Sequence, residues 1–193
     1  MTSIKLPGFT IVILMAGMAF APAQQRRGPR PLEIPAMVLT SPAFADGTDI
    51  PAKYTAAVPN AISPKLEWTN VPDGAESFAL IFHDPDGIPR NRSEDYVHWL
   101  VFNIPAASRE LPEAMPIQAQ LPDGAIQCNN RNVAGYIGPG APAHGPRHHY
   151  TFEIFALNTK LDLQSDATRA GLLEAMNGHV LAKGVLIAMF RRQ

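Results

Sequence analysis

Six runs along the chain are short and rich in β-branched and aromatic residues: Met37–Thr40, Lys65–Thr69, Ser77–Asp84, Asp95–Ile104, His149–Leu157 and Gly184–Phe190. Clusters of Gly, Pro, Asn and Asp separate them. This spacing predicts an antiparallel β-sandwich-like architecture with turns where the breakers gather. One segment has a different period. In Asp166–His179, Leu172, Leu173 and Met176 fall at helical spacing and predict a helix of about ten residues before the last strand. Asp166 is its expected N-cap and Gly178 its expected stop. The expected fold is mainly β: a single antiparallel sandwich-like domain with short peripheral helices, one of them near the C-terminus.

Side chains two positions apart share a face of a strand. Alternation therefore places Asp84 on the face of Phe78, Leu80 and Phe82, and His98 on the face of Leu100 and Phe102. It places His148 with Tyr150, Phe152 and Ile154, and His149 on the opposite, solvated face with Thr151 and Glu153. A buried polar group without a partner costs on the order of 1–3 kcal/mol. One carboxylate and two imidazoles at strand ends, each on an apolar face, are thus expected to converge on a shared pocket.

The N-terminal segment changes what counts as the domain. The apolar run Phe9–Phe20 is 12 residues long, short of the roughly 20 that a spanning helix needs. Lys5 precedes it, and Ala21 and Ala23 follow with the small side chains a signal peptidase reads. Residues 1–23 are read as a secretory signal peptide cut after Ala23, residues 24–35 as a disordered Pro/Arg-rich leader, and residues 36–193 as the domain. The expected location is periplasmic or secreted, with no stable membrane span after processing. The mature chain then carries 15 basic and 17 acidic residues, with its one basic cluster in the leader. No nucleic-acid partner is expected from that balance. Cys128 is the only cysteine, which excludes an intrachain disulfide and points to a packed thiol.

Two motifs carry candidate chemistry. Asp84, Asp86 and Gly87 suggest a calcium loop, but the positions that should hold an oxygen ligand and the turn glycine are Ile88 and Pro89. A turn using Asp as a local acceptor fits instead. Asp84, His98 and His148 could form a two-His, one-carboxylate metal triad, yet none stands at short ligand spacing from another. No G-x-S-x-G nucleophile elbow is present. Neither an enzyme nor a cofactor is expected, with a hydrolase or metal-dependent enzyme as the lesser alternative. The second motif, Tyr136–Tyr150 (YIGPGAPAHGPRHHY), fits an anion site. Gly138 and Gly140 can adopt positive φ and turn successive backbone N–H groups toward a ligand. The prolines stiffen the loop, and His148 adds a donor that switches near neutral pH.

These residues resemble the phosphatidylethanolamine-binding protein family, in its bacterial Raf-kinase-inhibitor-like branch. The likeness runs from about Met37 to Arg192 and rests on SPKLEWTNVPDGAESFALIFHDPD, VHWLVFNIPA, GYIGPGAPAHGPRHHYTFEIFAL and GHVLAKGVLIAMF, in order. It implies a β-sandwich-like fold and a small pocket for phosphate-like and carboxylate anions. Matched motif to motif, that pocket would use Asp84, Asp86, His98, Gly138, Gly140, Pro142, His148 and Tyr150. The chain departs from the family where DPDGIP replaces D-P-D-A-P, where Ala141-Pro142 replaces paired prolines, and where QCNNRNVAGY replaces a glycine-rich approach.

The expectation is an exported, non-enzymatic binding protein for a phosphate-bearing head group or carboxylate, with Asp84 holding an imidazole in its donating form. The alternative is an interaction module that inhibits an extracytoplasmic kinase or protease, with a protein partner in the cell envelope; a homodimer is compatible with either. The face assignment makes a direct prediction. His148→Ala abolishes binding of inorganic phosphate in calorimetry, and His149→Ala leaves it intact; equal effects would refute the assignment.

Overall fold

Ser77–Asp84 is buried along its whole length, with no alternation between core and solvent. Such a strand must be covered on both faces, and the computed structural model shows how. It describes residues 36–87, 94–129 and 134–193; the expected signal peptide and leader lie outside them.

In chain order the elements are β1 (Val38–Thr40), β2 (Thr48–Asp49), β3 (Leu66–Thr69), β4 (Ser77–Asp84), β5 (Tyr96–Pro105), β6 (Glu110–Leu111), β7 (Ile126–Cys128), β8 (His148–Leu157), α1 (Arg169–Met176) and β9 (Val180–Phe190). A six-stranded sheet runs β2-β9-β8-β4-β5-β7, and a three-stranded sheet runs β1-β3-β6. Every ladder is antiparallel except β2 with β9. Sequence patterning locates β1, β3, β4, β5, β8 and β9 to within a few residues. It misses β2, β6 and β7, which have only two or three residues each.

One core lies between the sheets, where Leu66 and Trp68 meet Phe78, Leu80, Phe82 and Phe152. Trp68 and Phe78 are tilted against each other at 5.3 Å between centroids. A second core covers the other face of the large sheet, where Ala79, Ile81, Leu100 and Phe102 pack with Leu161, Leu172 and Met176. α1 supplies the last two of these. It is shorter than expected, and its N-cap is Thr168 rather than Asp166: Thr168 Oγ1 accepts from Gly171 N at 3.1 Å. Gly178, at φ 81°, follows the helix in the left-handed conformation expected of the stop.

β5 does not alternate cleanly. Phe82 pairs with Trp99, but His83 pairs with Val97, so His98 is an extra residue in the ladder. A second slip falls between Phe78 and Leu80, where Asn103 takes φ 56° and its side chain holds Leu161 through hydrogen bonds of 2.9 and 2.7 Å. Bulges of this kind re-aim side chains. Leu100 and Phe102 consequently face the helix-side core, whereas His98 turns to the inter-sheet side. The expected grouping of His98 with Leu100 and Phe102 is therefore corrected: strict alternation fails across a bulge.

The helix-side face also buries charge. His83 Nδ1 donates to Asp95 Oδ2 at 2.8 Å, and its Nε2 lies 3.3 Å from Glu153 Oε2, an ionic contact without hydrogen-bond alignment. Lys183 hydrogen-bonds the other Glu153 oxygen, and Arg169 of α1 reaches Asp95 at 3.6 Å. Burial alone would raise the Glu153 pKa; His83 and Lys183 outweigh it and hold the carboxyl at about 2. A carboxylate depressed in the folded state stabilises above its unfolded pKa and loses that contribution as pH falls through the folded value. The cluster should therefore contribute up to about 3 kcal/mol near neutrality. Denaturant unfolding from pH 7 to 2 should find Glu153→Gln less stable than wild type by that order, the gap closing between about pH 5 and 2. A gap that does not change with pH would refute the assignment.

Candidate functional site

The ends of β4, β5 and β8 converge on a cavity of about 500 Å³, closed on one side by the loop that precedes β8. Asp84, His98, Gly138, Gly140, Pro142, His148 and Tyr150 all line it, together with Gly87, Tyr96, Tyr136, Ile137, Ala141 and Arg192.

Asp84 organises this wall. Its Oδ1 accepts from Asp86 N at 2.9 Å and from Gly87 N at 2.8 Å, which makes the turn suggested by the DPDG sequence. A Cβ on Gly87 would fall 2.7 Å from Asp84 Oδ2, so only glycine lets the turn close on the carboxylate. Oδ2 accepts from His148 Nδ1 at 2.8 Å. A proton on Nδ1 fixes the ring so that Nε2 is the nitrogen left for other partners, and Nε2 has none among the described residues. His98 is fixed in the same way by a different acceptor, donating from Nδ1 to Ile137 O at 2.8 Å.

Tyr150 ties the loop to the strand. Its phenol oxygen accepts from Gly140 N at 3.2 Å and Ala141 N at 2.8 Å. Burial pushes the phenol pKa far up and the nearby Asp84 carboxylate adds to it, so the group stays neutral. Tyr136 is kept neutral chiefly by burial; it donates to Tyr54 O at 2.8 Å and stacks on Phe82 at 5.4 Å. His98 lies edge-on to Tyr150 at 5.2 Å and tilted on Phe82 at the same distance. The imidazoles thus stand on an aromatic floor that admits little rotation.

Three expectations change. Asp86 does not line the cavity: it accepts from His149 N at 2.7 Å and His149 Nδ1 at 2.8 Å on the exposed face. The His149 amide, ahead of its ring, holds the Asp86 carboxyl below its ordinary range. His149 is exposed as alternation requires, but it is engaged by this carboxylate.

Next, neither Gly138 nor Gly140 has positive φ. The amides of Gly140 and Ala141 serve Tyr150, so the loop is not a backbone nest. Gly138 is needed for space instead, since a Cβ there would sit 2.9 Å from Tyr54 O and Thr55 C. Finally, Ala141 in place of a proline has a definite consequence, because proline has no N–H and could not make the 2.8 Å bond to Tyr150.

Sequence reasoning passed over Arg192 and Tyr96, which belong to no recognisable motif, and named Gly87 only as part of the turn, not as a cavity residue. Among the described residues no set of three or more His, Cys, Asp or Glu side chains is grouped to ligate a metal. Cys128 lies outside the cavity, buried, with its thiol pushed up to about 11 mainly by desolvation.

Comparison with known proteins gives a consistent result. A UPF0098 protein of Methanothermobacter thermautotrophicus is 44% identical over 157 residues, covering 81% of this chain and 99% of its own. One from Aquifex aeolicus is 35% identical, covering 81% and 89%. The crystal structure of a putative phosphatidylethanolamine-binding protein homolog from Chlamydia trachomatis superposes with a TM-score of 0.69 at 35% identity, over 82% of this chain and 99% of that one. Escherichia coli YbcL, described as a new member of the mammalian PEBP family, superposes at 0.72 with 28% identity, over 82% and 100%. Residues 40–191 match the family described as phosphatidylethanolamine-binding protein, and the chain belongs to that family.

Proposed function

We propose that this protein is an exported, non-enzymatic binding protein whose pocket takes the anionic group of a phosphate ester or a carboxylate. The observation that carries the reading is the fixed His148 ring: Asp84 holds Nδ1, and Nε2 is left for a ligand in a cavity that His148 lines. A donor that does not reorganise on binding loses little entropy when it engages an anion. Asp84 does not compete with the ligand, because both its oxygens already accept hydrogen bonds. The non-enzymatic part of the reading is supported by the state of the polar groups. Tyr150 is a neutral phenol accepting two backbone amides, and the thiol of Cys128 is neither ionised nor on the cavity. Export rests on the apolar run Phe9–Phe20 and the small residues after it.

At about 500 Å³ the cavity exceeds what one phosphate fills and lies in the range of small-molecule sites. A phosphate carried on an organic group therefore fits better than the free ion. Isothermal titration with inorganic phosphate and with phosphoethanolamine tests the reading. Both should bind in competition, the ester more tightly, and no heat from either would sink it.

Tyr150→Phe removes the acceptor for two loop amides. It should cost about 1–3 kcal/mol in unfolding free energy and weaken phosphate binding by loosening the Gly140–Ala141 wall. Unchanged affinity in a variant with that loss of stability would show that the loop does not shape the site.

A further inference from the structure

β9 ends at Phe190, and the chain leaves the sheet through Arg191 and Arg192. This exit is pinned to the pocket. Phe190 is paired with His148 in the β8–β9 ladder, and Arg192 N donates to Ala141 O at 3.1 Å. Beside it opens a second cavity of about 740 Å³, walled by Asp49, Ile50, Arg147, Phe190, Arg191 and Arg192 among others. Arg192 and Ala56 line both cavities.

The three arginines of this groove differ in what they already hold. Arg147 is ion-paired with Asp49. Arg191 spends one donor on Gly145 O, at 3.0 Å. The Arg192 guanidinium has neither an ion pair nor a hydrogen bond among the described residues. It lies along the pocket loop, its Nη2 3.7 Å from where a Cβ on Gly140 would stand. An isolated surface arginine is ordinarily just solvated. Two neighbouring guanidinium groups without carboxylate partners, over a wall containing Ile50 and Phe190 and next to an imidazole pocket, form a receptor for a planar or tetrahedral oxyanion.

We propose that this groove is a second anion subsite, and that Arg192 joins it to the imidazole pocket so that the two cavities take one small molecule with two anionic groups. The inference rests on the anion-pocket reading above, since the first group occupies that pocket. The second group is held by the guanidinium groups of Arg191 and Arg192, both of which line the groove. Joining two anions in one molecule makes the second contact intramolecular, so the affinity gain exceeds what either group alone provides.

Titration of the full-length chain with inorganic phosphate, pyrophosphate and tripolyphosphate at fixed ionic strength tests this. The wild type should bind the best oligophosphate at least about tenfold more tightly than phosphate, as one charge-assisted bidentate contact provides. Arg191→Gln should abolish that gain and leave phosphate affinity unchanged. Arg192→Gln should abolish the gain and also weaken phosphate itself. Lys160→Gln, which removes an exposed charge outside both cavities, should preserve the gain. A gain that is absent in the wild type, or that survives both arginine substitutions, would overturn the subsite while leaving the imidazole pocket standing. A gain lost equally in Lys160→Gln would reduce the effect to bulk charge and also overturn it. Failure of the wild type to bind phosphate at all would remove the pocket reading and the subsite with it. All three substitutions are at exposed positions, and matching thermal unfolding curves would confirm that the fold is intact.

Discussion

The site depends on a carboxylate whose acceptor capacity is already in use. Asp84 takes two backbone amides from its own turn on one oxygen and the His148 ring on the other. Three parts of the chain that would otherwise move independently, the end of β4, the turn after it and the start of β8, are fixed to one group. Charge-assisted hydrogen bonds in a buried setting are among the stronger single contacts a fold can make, and the loss of any partner would leave a buried charge exposed to no solvent. The geometry of His148 is therefore set before a ligand arrives.

The same strand end serves both faces of the sheet. His83 and Asp84 are consecutive, so pleating sends one to each side. Behind the sheet, His83 meets Asp95 and Glu153, with Lys183 and Arg169 completing the cluster. In front, Asp84 meets His148. Each face has at least one imidazole against a carboxylate, but the surroundings assign them different work. Behind, carboxylates approach both nitrogens of His83 and the cluster is closed. In front, only one nitrogen of His148 is taken, and the ring borders a cavity.

The sequence makes this division partly legible. β4 and β8 read correctly because their pleats are regular over the residues that matter, so alternation put Asp84, His148 and Tyr150 on one face. β5 resists the same logic, since a bulge at His98 reverses the face without a Gly or Pro to announce it. The expected convergence of His98 survived because the imidazole sits in the bulge, not because alternation held. The glycines of the loop were visible as a pattern, but their purpose was not. Positive φ and close backbone approach leave the same letter in the sequence, and only the 2.9 Å clearance at Gly138 separates them. Asp86 shows the converse limit: it shares a motif with Asp84, yet a step of two residues along the turn sends it to His149 on the surface.

Ala141 connects these observations. Its N–H reaches Tyr150, and its carbonyl receives the amide of Arg192. One buried residue therefore links the aromatic floor of the pocket to the cationic end of β9. A proline there could keep the second contact but not the first, because it lacks the donor. The alanine thus ties the position of Tyr150 to that of Arg192 through its backbone. In a cavity that already contains the Asp84 carboxylate, an anion is welcome only if the surrounding donors are held closer to it than Asp84 is. In the proposed anion site that condition would be met by His148, held by Asp84, and by a tail fixed, like Tyr150, to one short stretch of loop.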